Sequence, residues 1–215
     1  MRTGQEQFQS ARWLLLVPAV ISLVVGLRLS QPSVFPDEIG SLLNARFLIG
    51  QGSASPWWYL PGYGAILTPV VAATDDPTLL ARGSQIVNAF LLVVGALGVA
   101  RTVRLLVPAS SLTRQQQAAA LTMLSPAYVY FAGFAIADNA LVAIASWAAV
   151  GAAHLARART QPAVVVGFAG ALLVATVHSR AIVIPLAVAA ALVAESRVPQ
   201  RVARAAAVLA GAVVG

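Results

Sequence analysis

The groups able to do chemistry in this chain are few, and their positions are therefore informative. Only seven acidic side chains occur in 215 residues, and two of them, Asp37 and Glu38, stand side by side in "SVFPDEIGSLLNARFLIGQG". A third, Asp138, opens "DNALVAIASW" between two apolar runs. A carboxylate at a partly desolvated interface has its pKa pushed upward and can serve as a general base near neutral pH. A hydroxyl or amine acceptor needs such a base before it attacks an activated sugar. Arg82 and Arg180 are guanidinium groups beside or within apolar segments, and His178 stands close to the second of them. A charge in such a place is costly unless it faces a cavity or a partner, and a bidentate anion is the partner a guanidinium fits best. His154 and His178 each lack a second ligand at metal spacing, which argues against a His-based metal site. The chain has no cysteine, which removes thiol nucleophiles, disulfides and Cys-bound metals.

Each of these residues also has a plainer structural reading. Asp37 can cap a helix by accepting backbone N–H groups, and Asp76 before Pro77 has the same signature. Asp138 sits where one apolar run turns into the next. Arg82 and Arg180 can snorkel to headgroups, and Arg46 reads as a lipid-facing residue of a surface helix.

The elements that must position these groups belong to a membrane protein. Hydrophobic residues make up 59% of the chain, charged residues 10%, and the mean hydropathy is +0.82, outside the range of soluble domains. All fourteen basic residues are Arg, and they lie scattered between apolar runs instead of on one polar face, which argues against nucleic-acid binding. The runs predict spans at about 13–29, 82–100, 118–136, 139–155, 163–178, 181–194 and one beginning near 203. That pattern is an all-α, polytopic transmembrane bundle. The last run is still apolar at Gly215, so residues 1–215 read as the N-terminal transmembrane module of a longer protein, with about seven spans and the last incomplete.

With the N-terminus cytoplasmic, ten Arg fall inside and four outside, as the positive-inside rule favours. Were residues 60–73 also to cross, an N-outside topology would give the same ten against four. That stretch is short and interrupted by Pro61 and Pro69, so an interfacial or re-entrant segment is expected, leaving 30–81 as one outer loop. Within the loop, Ile39, Leu42, Leu43 and Phe47 recur at helical spacing, with Ser41, Asn44 and Arg46 between them. They suit an amphipathic juxtamembrane helix lying along the membrane surface. Trp57, Trp58 and Tyr59 are residue types that settle at headgroup depth.

The order of a first span, "PDE" opening an outer-loop helix, "ARGSQIVNAFLLVVGALGVARTVRLL" and "LSPAYVYFAGFAIADNALVAIASWAAVGAAHLARA" resembles the C-type glycosyltransferase superfamily. The similarity covers roughly residues 33–200 and is nearest the branch of protein O-mannosyltransferases and lipid A aminoarabinose transferases. The resemblance implies an integral enzyme of the plasma membrane that moves a sugar from a polyprenyl-phosphate carrier to an acceptor, a lipid, glycan or protein, on the extracytoplasmic side. It implies that Asp37 is the catalytic acidic residue, Glu38 its neighbour and Asp138 the second acidic position at the outer mouth. Arg180, Arg82 or His178 would then hold the carrier phosphate. Some relatives use a divalent ion and others do not; the resemblance implies that such an ion would be held here by Asp37, Glu38 and Asp138. The competing expectation is a lipid or small-solute transporter, because Asp and Arg at membrane edges also mark substrate pathways.

Overall fold

The computed structural model describes residues 13–28, 36–53 and 60–158, whose regular structure is entirely helical. A 3-10 turn over Trp13–Leu15 leads into α1 (Val17–Arg28). There follow α2 (Pro36–Leu48), α3 (Pro61–Ala73), α4 (Pro77–Leu106), α5 (Leu112–Met123), α6 (Pro126–Phe131) and α7 (Asp138–Ala158). The expected spans at 163–178, 181–194 and beyond 203 lie outside the described residues, as do Arg180, His178 and the aromatic run at 57–59.

α4 is the axis of the fold, with α1, α3, α5 and α7 all packed against it. Asp76 starts it as the sequence suggests: its carboxylate accepts the Leu79 N–H at 2.9 Å, and Pro77 takes the first helical position, where a missing N–H costs nothing. Among the described residues, α4 is the one helix both long and apolar enough to cross a membrane. It meets α7 along small residues. A Cβ on Gly98 would come within 3.0 Å of the Ser146 Cβ, and one on Gly95 within 3.4 Å of the Ala143 Cα. Such small-residue seams are how helices approach closely where lipid offers no hydrophobic drive for association.

α3 is continuous through Pro69. Proline cannot bond to the carbonyl four residues back, that of Ala65, and the Thr68 hydroxyl donates to that oxygen instead at 2.7 Å. Thirteen residues rise about 20 Å, short of the about 30 Å of a hydrocarbon core, so α3 remains a short element between α2 and α4. α2 crosses it at Gly64, where a Cβ would lie 3.0 Å from the Ala45 nitrogen and 3.1 Å from the Ser41 oxygen. α2 ends in a Schellman turn: Gln51 N–H donates to the Arg46 carbonyl, Gly50 N–H to that of Phe47, and Gly50 takes φ +79°.

Two expectations need correction. The run 118–136 is not one helix: α5 stops at Met123, α6 occupies Pro126–Phe131, and residues 132–137 form a non-helical turn. Pro126 removes an N–H, and its ring drives Ser125 out of helical geometry, to ψ 129°. Arg46, expected to face lipid, instead pairs with Asp75 at 3.0 Å, an exposed ion pair worth little to stability.

Beside a buried apolar core that includes Ala45, Leu80, Leu91 and Leu92, three helices also turn polar side chains inward and large apolar ones outward. α2 buries Glu38, Ser41 and Asn44 and exposes Ile39, Leu43 and Phe47. α4 buries Ser84, Gln85 and Asn88 and exposes Leu79, Ile86 and Phe90, while α1 buries Ser22 and exposes Val20, Val24 and Leu27.

Candidate functional site

The inward polar residues converge on the turn between α6 and α7. Ala132, Phe134, Ala135 and Ile136 are buried there, so the backbone N–H and C=O groups of a non-helical segment are cut off from water and must find partners in the protein. Four side chains supply them. Asn88 donates its amide to the carbonyls of Ala132 and Phe134. Gln85 donates to the Gly133 carbonyl at 3.2 Å. Asn139, with its amide oriented to satisfy both neighbours, donates to the Tyr128 carbonyl at 3.2 Å and accepts the Ala132 N–H at 3.0 Å. Glu38 accepts the Ala135 N–H at 2.6 Å, a bond between residues 97 apart in the sequence.

That last contact brings the start of α2 to the start of α7. Asp37 is exposed on the first turn of α2, within the helix and not at its cap, because Pro36 already begins it. Glu38 is buried against the turn, and three residues beyond Ala135 the half-buried Asp138 opens α7. All three carboxylates lie in the first turn of a helix, where the exposed N–H groups and the helix dipole favour negative charge.

Tyr63, 1% exposed near the start of α3, stands between these groups. Its hydroxyl donates to Asn88 Oδ1 at 2.7 Å, which orients the amide whose other end holds the turn. Burial pushes the Tyr63 pKa up; the Asn88 bond acts the other way, and the negative charges of Glu38 and Asp138 add to the rise. The phenol is thus a neutral donor, and both carboxylates are close enough to feel it.

Arg82, one helical turn from Gln85, brings a guanidinium to this part of the bundle. Its Nη1 donates to the Gly26 carbonyl and to Gln85 Oε1, each at 3.0 Å. The first bond satisfies a carbonyl in the last turn of α1, where a cation is also favoured by the helix dipole. Among the described residues Arg82 forms no ion pair, and its Nη2 and Nε make no hydrogen bond.

The structure therefore brings Asp37, Glu38 and Asp138 to one end of the bundle, with Arg82 joined to the same turn through Gln85. Asp37, Glu38 and Asp138 do not form a metal-binding group, and no three such ligands converge among the described residues. Reasoning from sequence missed Tyr63, Gln85, Asn88 and Asn139. The available signal was the presence of carboxamides within otherwise apolar helical runs. No family model, curated protein or solved structure matches the chain.

Proposed function

We propose that the protein is a multi-pass membrane glycosyltransferase, its N-terminus cytoplasmic, that moves a sugar from a polyprenyl-phosphate carrier to an acceptor at the extracytoplasmic end of the bundle. The observation that supports this reading most is the Glu38–Ala135 bond, which joins the acidic start of α2 to the turn before the acidic start of α7, the same turn to which Arg82 is linked through Gln85. Division of labour follows from exposure. Asp37 faces out and can meet an acceptor; Glu38 is already committed to the turn and serves as a positioning residue; Asp138 is half-buried at the rim.

In the reaction, the Asp37 carboxylate takes the proton of the acceptor hydroxyl as the acceptor oxygen forms its bond to the anomeric carbon. The bond from that carbon to the phosphate oxygen breaks, and the leaving polyprenyl phosphate carries away the electron pair. Arg82 Nη2 and Nε stabilise the charge that develops on the phosphate. Asp138 orients the acceptor, and the configuration at the anomeric carbon inverts. Arg180 and His178 remain candidates for the same phosphate.

The test uses the full-length chain in membranes supplied with a labelled polyprenyl-phosphate sugar. Asp37→Asn and Asp138→Asn are each expected to lose transfer by about a hundredfold or more, the usual contribution of a general base or acceptor-orienting group. Undiminished transfer by both variants eliminates the site.

A further inference from the structure

We infer that the outward face of α2, Ile39, Leu43 and Phe47, is in contact with the hydrocarbon of the bilayer, and that α2 is a wall of the lipid-facing perimeter instead of a helix lying between membrane and water. The inference rests on the membrane reading above but not on sugar transfer. An amphipathic helix at a membrane surface turns its apolar face to lipid and its polar face to water. α2 has no face left for water along its middle: Ser41 and Asn44 are buried, Glu38 bonds to the Ala135 N–H, and Gly64 brings the α3 backbone against Ser41 and Ala45. Its charged groups stand at its ends, with Asp37 in the first turn and Arg46 in the last, paired with Asp75.

The occupant follows from continuity with the rest of the molecule. α4 likewise buries Ser84, Gln85 and Asn88 while exposing Leu79, Ile86 and Phe90, α1 exposes Val20, Val24 and Leu27 opposite a buried side of small residues, and α4 is long and apolar enough to cross a membrane. Water would be a poor solvent for all three outward stripes, whereas acyl chains suit every one of them. Asp37 then lies at the end of a lipid-bathed ridge.

Residues 1–215 contain no cysteine, so single cysteines can be placed among them without removing others there. The full-length chain carrying Ile39→Cys, Leu43→Cys or Phe47→Cys is spin-labelled in phosphatidylcholine vesicles and probed by oxygen and by a water-soluble nickel chelate. Oxygen is expected to relax all three labels several-fold more than nickel, with the reverse at Gln51→Cys beyond the helix end. Ser41→Cys is expected to resist a membrane-impermeant maleimide in folded protein and to react after denaturation. Nickel access at 43 equal to that at 51, or a Ser41→Cys thiol as reactive as that at 51, would overturn the inference in favour of a surface-lying helix. Low access of both relaxants at 39, 43 and 47 would also overturn it, since protein and not lipid would then cover the face.

Discussion

Removal of the Glu38 carboxylate is the perturbation whose consequence the structure defines best. In the folded chain Glu38 Oε1 accepts the Ala135 N–H at 2.6 Å in a buried site. Glu38→Ala leaves that N–H orphaned, at a cost of about 1–3 kcal/mol, and also deletes a charge-assisted bond; about 3 kcal/mol in total is expected. Glu38→Gln keeps a carbonyl oxygen within reach of the Ala135 N–H and weakens that bond by the lost charge, so a smaller cost of about 1 kcal/mol is expected. The difference separates the bond from the charge. Equilibrium unfolding of the full-length chain in mixed micelles reads both values, and hydrogen exchange at Ala135 reads the contact itself. Exchange there should be slow in the parent, somewhat faster with Gln and fastest with Ala. If Glu38→Ala unfolds within about 0.5 kcal/mol of the parent, the range of an ordinary surface substitution, and Ala135 exchange is unchanged, then Glu38 does not hold the turn.

Tyr63→Phe removes the donor to Asn88 Oδ1 in a fully buried site, and a loss of about 1–3 kcal/mol at neutral pH is expected by the same unfolding measurement. The Tyr63 pKa is raised in the folded state, so its stabilising effect is complete below the ordinary tyrosine value of about 10 and is lost as pH rises above it, when the unfolded chain gives up the proton first. The parent should therefore lose more stability than Tyr63→Phe between pH 9 and pH 11, roughly the window around the unfolded pKa; parallel curves would refute the assignment. Gly64→Ala gains helix propensity but sets a Cβ 2.8 Å from the Asn44 Cβ and 3.0 Å from backbone, so a net loss of about 1–3 kcal/mol from overpacking is expected, and a stabilised variant would show that α2 and α3 do not cross there.

The helices themselves were legible in the sequence wherever composition and punctuation agreed. Asp76 and Pro77 announced α4, and the length of its apolar run was sufficient to mark a candidate span. The spacing of Ile39, Leu42, Leu43 and Phe47 separated two faces of α2 except at Leu42, which packs against the core, and periodicity gives no sign for the direction of a face. In water the apolar face turns inward; in lipid the polar one can, and only the partners of Glu38, Ser41 and Asn44 decide between them. The break at 124–137 was missed because an apolar run does not distinguish a span from a buried turn, although Pro126 and Gly133 were available as signals. Of the site, the acidic positions were legible because carboxylates are scarce here. Which of the adjacent pair is buried was not, since Asp37 and Glu38 differ by about a quarter turn of helix, and that rotation depends on packing against residues nearly a hundred positions away.

The division of labour between those two neighbours is the central claim, and one comparison of full-length variants tests it most directly: transfer from a labelled polyprenyl-phosphate sugar measured beside thermal stability for Asp37→Asn and Glu38→Gln. The account predicts that Asp37→Asn abolishes transfer while melting as the parent does, and that Glu38→Gln melts lower and retains part of the rate. Full transfer by Asp37→Asn, at unchanged stability, would contradict it.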